Sequence, residues 1–173
     1  MSSDFFFNLS LGTIQLLKSA VVYLGLLFFL LLSLVDIPMI SSGEIRQGFL
    51  LIGMYFWTIY RPHILPYPVV FMMGLLLDIL SGGLIGLNAL CFMVLTMIVR
   101  SQRRFLLGQS WQMVWAGFFV AVIVVQSFQT AVYAATSAVM PVFWPYAANI
   151  VLTGLFYPLF HPVLMALNRF LND

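Results

Sequence analysis

Long apolar runs, separated by a few isolated charges, constrain this 173-residue sequence more than any other feature. Hydrophobic residues make up 63% of it and charged residues only 7%, and the mean hydropathy is +1.08. Soluble domains carry roughly 45–50% apolar and about 25% charged residues, so twelve charged side chains cannot solvate a globule of this size. The same scarcity excludes a disordered chain and an electrostatic nucleic-acid binder. The sequence therefore predicts an integral membrane protein.

Six uncharged runs are candidates for membrane-spanning helices. A spanning helix needs roughly 20 apolar residues, and charges, glycines and prolines mark where such runs end. The predicted spans cover residues 19–35, 48–60, 65–80, 84–99, 113–139 and 147–167. The second is short and crosses only if the bilayer thins or flanking residues extend the helix. We predict an all-α bundle of six transmembrane helices that forms a single membrane domain over residues 1–173.

The basic residues favour one orientation of this bundle, because basic loops resist translocation across a membrane. With the N-terminus inside, six of the seven basic residues fall on the cytoplasmic side and only Arg46 lies outside. The acidic residues Asp36 and Glu44 then share the outer loop with it. We therefore expect both termini to be cytoplasmic.

The inventory of residues for catalysis or metal binding is small. His63 and His161 stand apart, and the one cysteine, Cys91, lies within an apolar run. No grouping of His, Cys and carboxylate residues has the spacing of metal ligands, and no nucleophile has an adjacent base. We predict a protein that is not an enzyme and that has no cofactor or metal.

Asp78, an acid inside the third predicted span, is the first candidate for a functional residue. A carboxylate at the centre of a span costs about 2.5–3.5 kcal/mol on insertion scales and by default indicates a functional site. Gly74 and Asp78 are four residues apart, so they share a helix face, which Gly82 extends if the helix continues, and small residues there let another backbone approach. One interpretation is a polar clasp that fixes the hairpin of spans three and four or binds a partner helix. The alternatives are an acid that caps or solvates the hairpin turn, and a proton relay.

Spans five and six each carry a row of polar residues on one helix face. The rows are Gln126, Thr130, Tyr133 and Ser137, with Gln129 beside them, and Asn149, Thr153, Tyr157 and His161. Such rows should face the bundle interior or another protein, where hydrogen bonds of roughly 0.6 kcal/mol each would hold the two spans together. The lining of a small-molecule cavity would need the same residues.

A basic cytoplasmic loop formed by Arg100, Arg103 and Arg104 follows span four. Such a cluster typically fixes topology and attracts anionic lipid, at about 1 kcal/mol per charge near the surface. Docking of a cytoplasmic partner is the alternative.

The middle of the chain resembles MreD, the family of bacterial rod-shape-determining membrane proteins. The resemblance begins with the aromatic residues at 55–57 and ends with the arginine-bearing loop at 100–104. Between them, the glycine and aspartate pattern of the family is held by Gly74, Asp78, Ser81, Gly82 and Gly86. Chain length and the number of spans fit the family over essentially the whole sequence.

The resemblance implies a non-enzymatic, multi-pass subunit of the cell-elongation machinery in the bacterial inner membrane, with the glycine and aspartate hairpin as a partner surface. Implied partners are a MreC-like bitopic scaffold, a MreB-like filament, and the peptidoglycan glycosyltransferase and transpeptidase, besides membrane lipid. Such a subunit would maintain rod shape by coupling the scaffold and the filament to wall synthesis.

The family is also similar in its six-helix arrangement to the substrate-binding subunits of vitamin importers, which supplies an alternative function. Those subunits contact their energising partner through an Ala-x-x-x-Ala surface in the first span. Here the corresponding stretch starts at Ala20 and continues through Tyr23, Leu24 and Gly25, so that surface is absent. This difference favours the elongation subunit over the importer.

Overall fold

The computed structural model describes residues 2–35, 48–137 and 143–171, and the regular structure within these ranges is helical. The helices are α1 (Ser2–Ser33), α2 (Phe49–Tyr60), α3 (Tyr67–Ser81), α4 (Leu87–Leu107), α5 (Trp111–Ser137) and α6 (Phe143–Phe170). Side chains are described for residues 17–35, 48–136 and 147–171. Each predicted span overlaps one helix, whereas the predicted outer loop with Asp36, Glu44 and Arg46 lies outside the described residues.

Proline and glycine set the ends of the helices in the middle of the chain. Pro66 precedes α3 and Pro68 lies in its first turn, where a missing N–H costs no helical hydrogen bond. Gly82 ends α3 with a φ of 67°, and Gly86 precedes α4 with a φ of 94°. Both values lie in the left-handed region that favours glycine, so these two residues make the sharp hairpin turn possible.

The short helix α2 forms the centre of the bundle. All side chains from Phe49 to Ile59 are buried, and the helix packs against α1, α4, α5 and α6. The aromatic residues Tyr55, Phe56 and Trp57 are among the largest fully buried side chains. A helix that is apolar on every side is stable where neighbours cover it on every side, which is the arrangement of α2.

The outer surface of the bundle is apolar as well. On α6, a stripe of side chains at four-residue spacing is 48–64% exposed: Val151, Leu155, Leu159 and Val163. Stretches of two helices, Trp111–Thr136 and Ala147–Phe170, are long and apolar enough to cross a membrane. Continuous exposed apolar surface is typical of a protein that faces lipid. The number of crossings and the orientation stay predictions.

Candidate functional site

Asp78 lies in the last turn of α3 and is 1% exposed. Its Oδ2 accepts hydrogen bonds from Gly86 N at 2.8 Å and Ala89 N at 3.4 Å. Its Oδ1 accepts from Asn88 N at 3.2 Å and Asn88 Nδ2 at 2.7 Å. The first N–H groups of a helix lack an intrahelical partner and carry the positive end of the helix dipole. Asp78 therefore caps α4 from the preceding helix. The same hydrogen bonds fix the hairpin and cap α4, so two of the interpretations drawn from the sequence describe one arrangement.

Gly74 brings the two helices of this hairpin into backbone contact. A Cβ at this position would lie 2.4 Å from Ala89 Cα and 2.7 Å from Ala89 N, which no side chain other than hydrogen allows. Gly74 lies one turn before Asp78 on the same face, as their spacing predicts. Ser81 Oγ donates to Asp78 O at 3.2 Å within α3. Gly74, Asp78 and Gly86 thus join α3 to α4, whereas the Ser81 hydroxyl bonds within α3. A partner contact at this hairpin stays a prediction.

Gln129 connects the hairpin to α5. Its Nε2 donates to Asn88 Oδ1 at 2.6 Å, while Asn88 donates to Asp78. One hydrogen-bonded chain therefore links α3, α4 and α5. The sequence placed Gln129 only beside the polar row of span five, because periodicity does not tell which neighbouring helix a side chain reaches.

Gln126, Asn149 and Thr153 form a second buried network at the same end of the bundle. Gln126 Nε2 donates to Asn149 Oδ1 at 3.2 Å, and Thr153 Oγ1 donates to the same oxygen at 3.1 Å. Gly48 N, just before α2, donates to Thr153 Oγ1 at 3.3 Å. Thr130 Oγ1 bonds within its own helix, to Gln126 O at 2.8 Å. This network links α5 and α6 to the start of α2.

The other residues of the two rows contact aromatic rings and the hairpin. Tyr157 stacks on Phe118 with ring centroids 4.5 Å apart, and His161 meets the edge of Phe56 at 5.9 Å. Tyr133 reaches the turn between α3 and α4, where its Oη would lie 2.8 Å from a Cβ at Gly83. The side chain of Ser137 lies outside the described side chains. The α6 row therefore makes hydrogen bonds at Asn149 and Thr153, whereas Tyr157 and His161 pack against aromatic rings.

At the opposite end of the bundle, arginines donate to backbone carbonyls. Arg103 Nε donates to Ile59 O in the last turn of α2 at 2.6 Å. Arg61 Nε donates to Asn168 Oδ1 at 2.9 Å, and its Nη2 donates to Asn168 O near the end of α6 at 3.4 Å. The last carbonyls of a helix lack intrahelical partners and carry the negative end of the dipole, so cations stabilise them.

Arg100 fixes the connection between α2 and α3. Its Nη2 donates to Pro62 O at 2.9 Å and to Leu65 O, and its guanidinium lies 4.3 Å from the centre of the Tyr67 ring. Arg104 is exposed at the end of α4. The three arginines that the sequence placed in a loop lie within α4 instead, which continues to Leu107. Two of them bond to the bundle itself, which sequence reasoning missed.

A further contact missed by sequence reasoning joins α5 to α6. Pro158 lies inside α6 and has no N–H to donate to the carbonyl of Gly154, four residues earlier. Trp115 Nε1 donates to Gly154 O at 2.9 Å in its place. A Cβ at Gly154 would lie 2.3 Å from the ring of Phe119, so the two helices are also close here. The tryptophan side chain supplies the donor that proline removes.

Together these features define an all-helical apolar bundle, of the class that lies in membranes, with charged and amide side chains bonded at its two ends. Among the described side chains, no three His, Cys, Asp or Glu residues lie close enough together to hold a metal ion.

Compared with known families, residues 14–167 match the family described as rod shape-determining protein MreD, and the chain belongs to this family. The resemblance seen in the sequence is thereby confirmed. MreD proteins are shape-determining membrane proteins and not a known enzyme family. No curated protein and no solved structure matches the chain, so the importer alternative gains no support.

Proposed function

We propose that this protein is a non-enzymatic subunit of the bacterial cell-elongation machinery that maintains rod shape by joining partners within the inner membrane. Membership of the MreD family supports the proposal. In it, the six helices cross the membrane as one domain, with both termini in the cytoplasm. The end with Arg61, Arg100 and Arg103 then faces the cytoplasm and the end with Asp78 faces outward, as the distribution of basic residues favours.

The observation that carries the proposal is where the side chains point. Buried polar residues such as Asp78, Gln126 and Asn149 are bonded within the bundle, and the outer faces present apolar stripes. A protein built in this way acts through contacts between helices, since these three polar side chains bond within the bundle and its outer faces are apolar. That is the action expected of an adaptor.

We place the contact with a MreC-like bitopic scaffold on the hairpin between α3 and α4. The hairpin exposes Ile79 at 58% and Ile85 at 75%, while Gly74 and Asp78 hold its shape from inside. In this arrangement Ile85 is a contact residue and Asp78 is a positioning residue. The exposed Arg104 is the proposed contact for a MreB-like filament or another cytoplasmic partner, and the peptidoglycan glycosyltransferase and transpeptidase bind the assembled complex.

Co-purification with the scaffold tests the hairpin surface directly. Ile85→Ala should lower recovery of the MreC-like partner, because it removes an exposed contact without touching the clasp. Leu155→Ala, at a residue 57% exposed on α6, is the matched control and should leave recovery unchanged. Equal recovery with Ile85→Ala and wild type would remove the hairpin from the proposed interface. Asp78→Ala should lower both recovery of the partner and thermal stability, as expected of a positioning residue. Ile85→Ala should lower recovery alone, as expected of a contact residue.

Deletion of the gene in a rod-shaped bacterium tests the function itself. Round, lysis-prone cells, restored to rods by the wild-type gene, are the expected result. Cells that remain rods but acquire a nutrient requirement would point to the importer instead. Cells that remain rods without any such requirement would contradict a role in elongation.

A further inference from the structure

A cavity of about 330 Å³ opens between α4 and α5. It follows α4 from Leu90 to Leu106 and α5 from Gly117 to Phe128. At 1.5 Å per residue, this stretch of α4 is about 24 Å long. The walls include the exposed side chains of Val94 and Ile98, so the cavity is a groove that is open at the surface of the bundle.

The lining of the groove is suited to a hydrocarbon chain. None of the described side chains that line it is charged, and the hydroxyl of Tyr55 is already bonded to Val114 O at 3.1 Å. Small residues line it on the α5 side: Ala121, and Gly117, where a Cβ would lie 2.9 Å from the Tyr55 hydroxyl.

One end of the groove is polar and lies at the basic end of the bundle. Gln102 lines the groove there, one residue before Arg103, and Arg104 is exposed nearby on the same helix. Hydrogen bonds to carbonyls leave the positive charges of Arg100 and Arg103 in place. Among the side chains that the structure describes, the only carboxylate belongs to Asp78, at the opposite end. A negatively charged headgroup is therefore favoured at the Gln102 end.

We propose that this groove binds an anionic phospholipid, with one acyl chain along α4 and α5 and the headgroup at the arginine end. The proposal rests on the membrane placement of the chain and not on its role in elongation. Within a bilayer the acyl chain leaves other lipid rather than water, so close packing in the groove and headgroup charge provide the selectivity. The bound lipid would fill the space that α4 and α5 leave between them.

Photocrosslinking in vesicles tests the site on the wild-type protein. The probe is phosphatidylglycerol with a diazirine on one acyl chain, and the crosslinked residues are located by mass spectrometry. Labelling of groove residues such as Val94 and Val124 should exceed that of the α6 stripe at Leu155 and Leu159 by about five-fold, the ratio that one favourable surface charge provides. Equal labelling of both surfaces would show ordinary surrounding lipid only and overturn the proposal.

A variant that fills the groove provides the second test. Ala121→Phe should abolish the excess labelling, whereas Ala131→Phe, at an exposed residue of the same helix outside the groove, should preserve it. If Ala121→Phe does not fold, competition on the wild type decides: unlabelled phosphatidylglycerol should suppress groove labelling more than phosphatidylcholine does. Equal competition by the two lipids would overturn the proposal. If Ala121→Phe leaves lipid labelling unchanged but no longer co-purifies with a bitopic partner, the proposal would also be overturned. The groove would then be assigned to a helix of that partner.

Discussion

The two ends of the bundle differ in how side chains bond the backbone groups that lack partners within a helix. At the Asp78 end, one carboxylate accepts four hydrogen bonds from the start of α4. At the arginine end, three guanidinium groups are distributed over the end of α2, the connection to α3 and the end of α6. Backbone groups without partners are costly where water is scarce, and each end uses the charge that matches the helix dipole it meets. At the Asp78 end the hydrogen bonds converge on one side chain, whereas at the arginine end they are divided among three. Stability should therefore depend on one residue at the Asp78 end and on no single residue at the arginine end.

Replacement of the acid should have the largest effect. Asp78→Ala leaves four donors without an acceptor, and we expect a loss of about 3–5 kcal/mol in unfolding free energy. Asp78→Asn should be intermediate, because its amide group would turn a donor toward the N–H groups of Gly86 and Ala89. The measurement is the fraction of monodisperse protein that remains after heating in detergent. A variant Asp78→Ala as stable as wild type would show that the concentrated clasp is not needed.

The glycine contact beside the acid should come next. Gly74→Ala places a Cβ against the backbone of Ala89, which cannot rotate away, and we expect a loss of about 1–3 kcal/mol or more. Gly25→Ala is the matched control, since a Cβ there meets nothing within 4 Å. Similar melting temperatures for the two variants would contradict close contact between α3 and α4.

Single arginines should matter less than the acid. Arg103→Gln removes the charged donor to Ile59 O and should cost about 1–2 kcal/mol. Arg104→Gln, at the exposed neighbouring position, should change stability by less than about 0.5 kcal/mol. Thermal unfolding of the two variants side by side measures the difference. If Arg103→Gln lowers the unfolding free energy as much as Asp78→Ala does, the stabilisation at the arginine end is not divided among three residues.

The smallest effect is expected at the edge of the Asp78 network. Gln129→Leu removes the donor to Asn88 Oδ1 and should cost about 1 kcal/mol, whereas Gln112→Leu, at an exposed position of α5, should cost little. In the background of Asp78→Ala, the same change should cost less than in wild type, because the chain from α3 to α5 is already broken. Simple additivity of the two changes would show that Gln129 acts independently of the hairpin.

The hairpin could be predicted from the sequence because its parts are local. Gly74 and Asp78 share a helix face by spacing alone, and Gly82 and Gly86 supply the conformations that a sharp turn needs. Helical periodicity also gathered Gln126 and Asn149 on their respective faces. Periodicity does not fix the rotation of one helix against another, which is why Gln129 turned out to bond to α4.

The arginine end could not be predicted in the same way. Arg103 meets a carbonyl 44 residues away and Arg61 meets Asn168 across 107 residues, so these contacts depend on how the helices pack. The positions of the arginines in the sequence indicated the cytoplasmic membrane surface. They did not indicate which carbonyl groups the arginines bond. The groove between α4 and α5 likewise depends on where Gly117 and Ala121 fall against the neighbouring helix.

The burial of α2 from Phe49 to Ile59 has a consequence for biogenesis. This helix has 12 residues and is about 18 Å long, well short of a hydrocarbon core of about 30 Å. Of the helices that cover it, α1 precedes it in the chain, whereas α4, α5 and α6 are synthesised after it. Chains truncated before α6 should therefore hold α2 poorly in the membrane and be degraded early, and only the finished chain gives this segment a stable place.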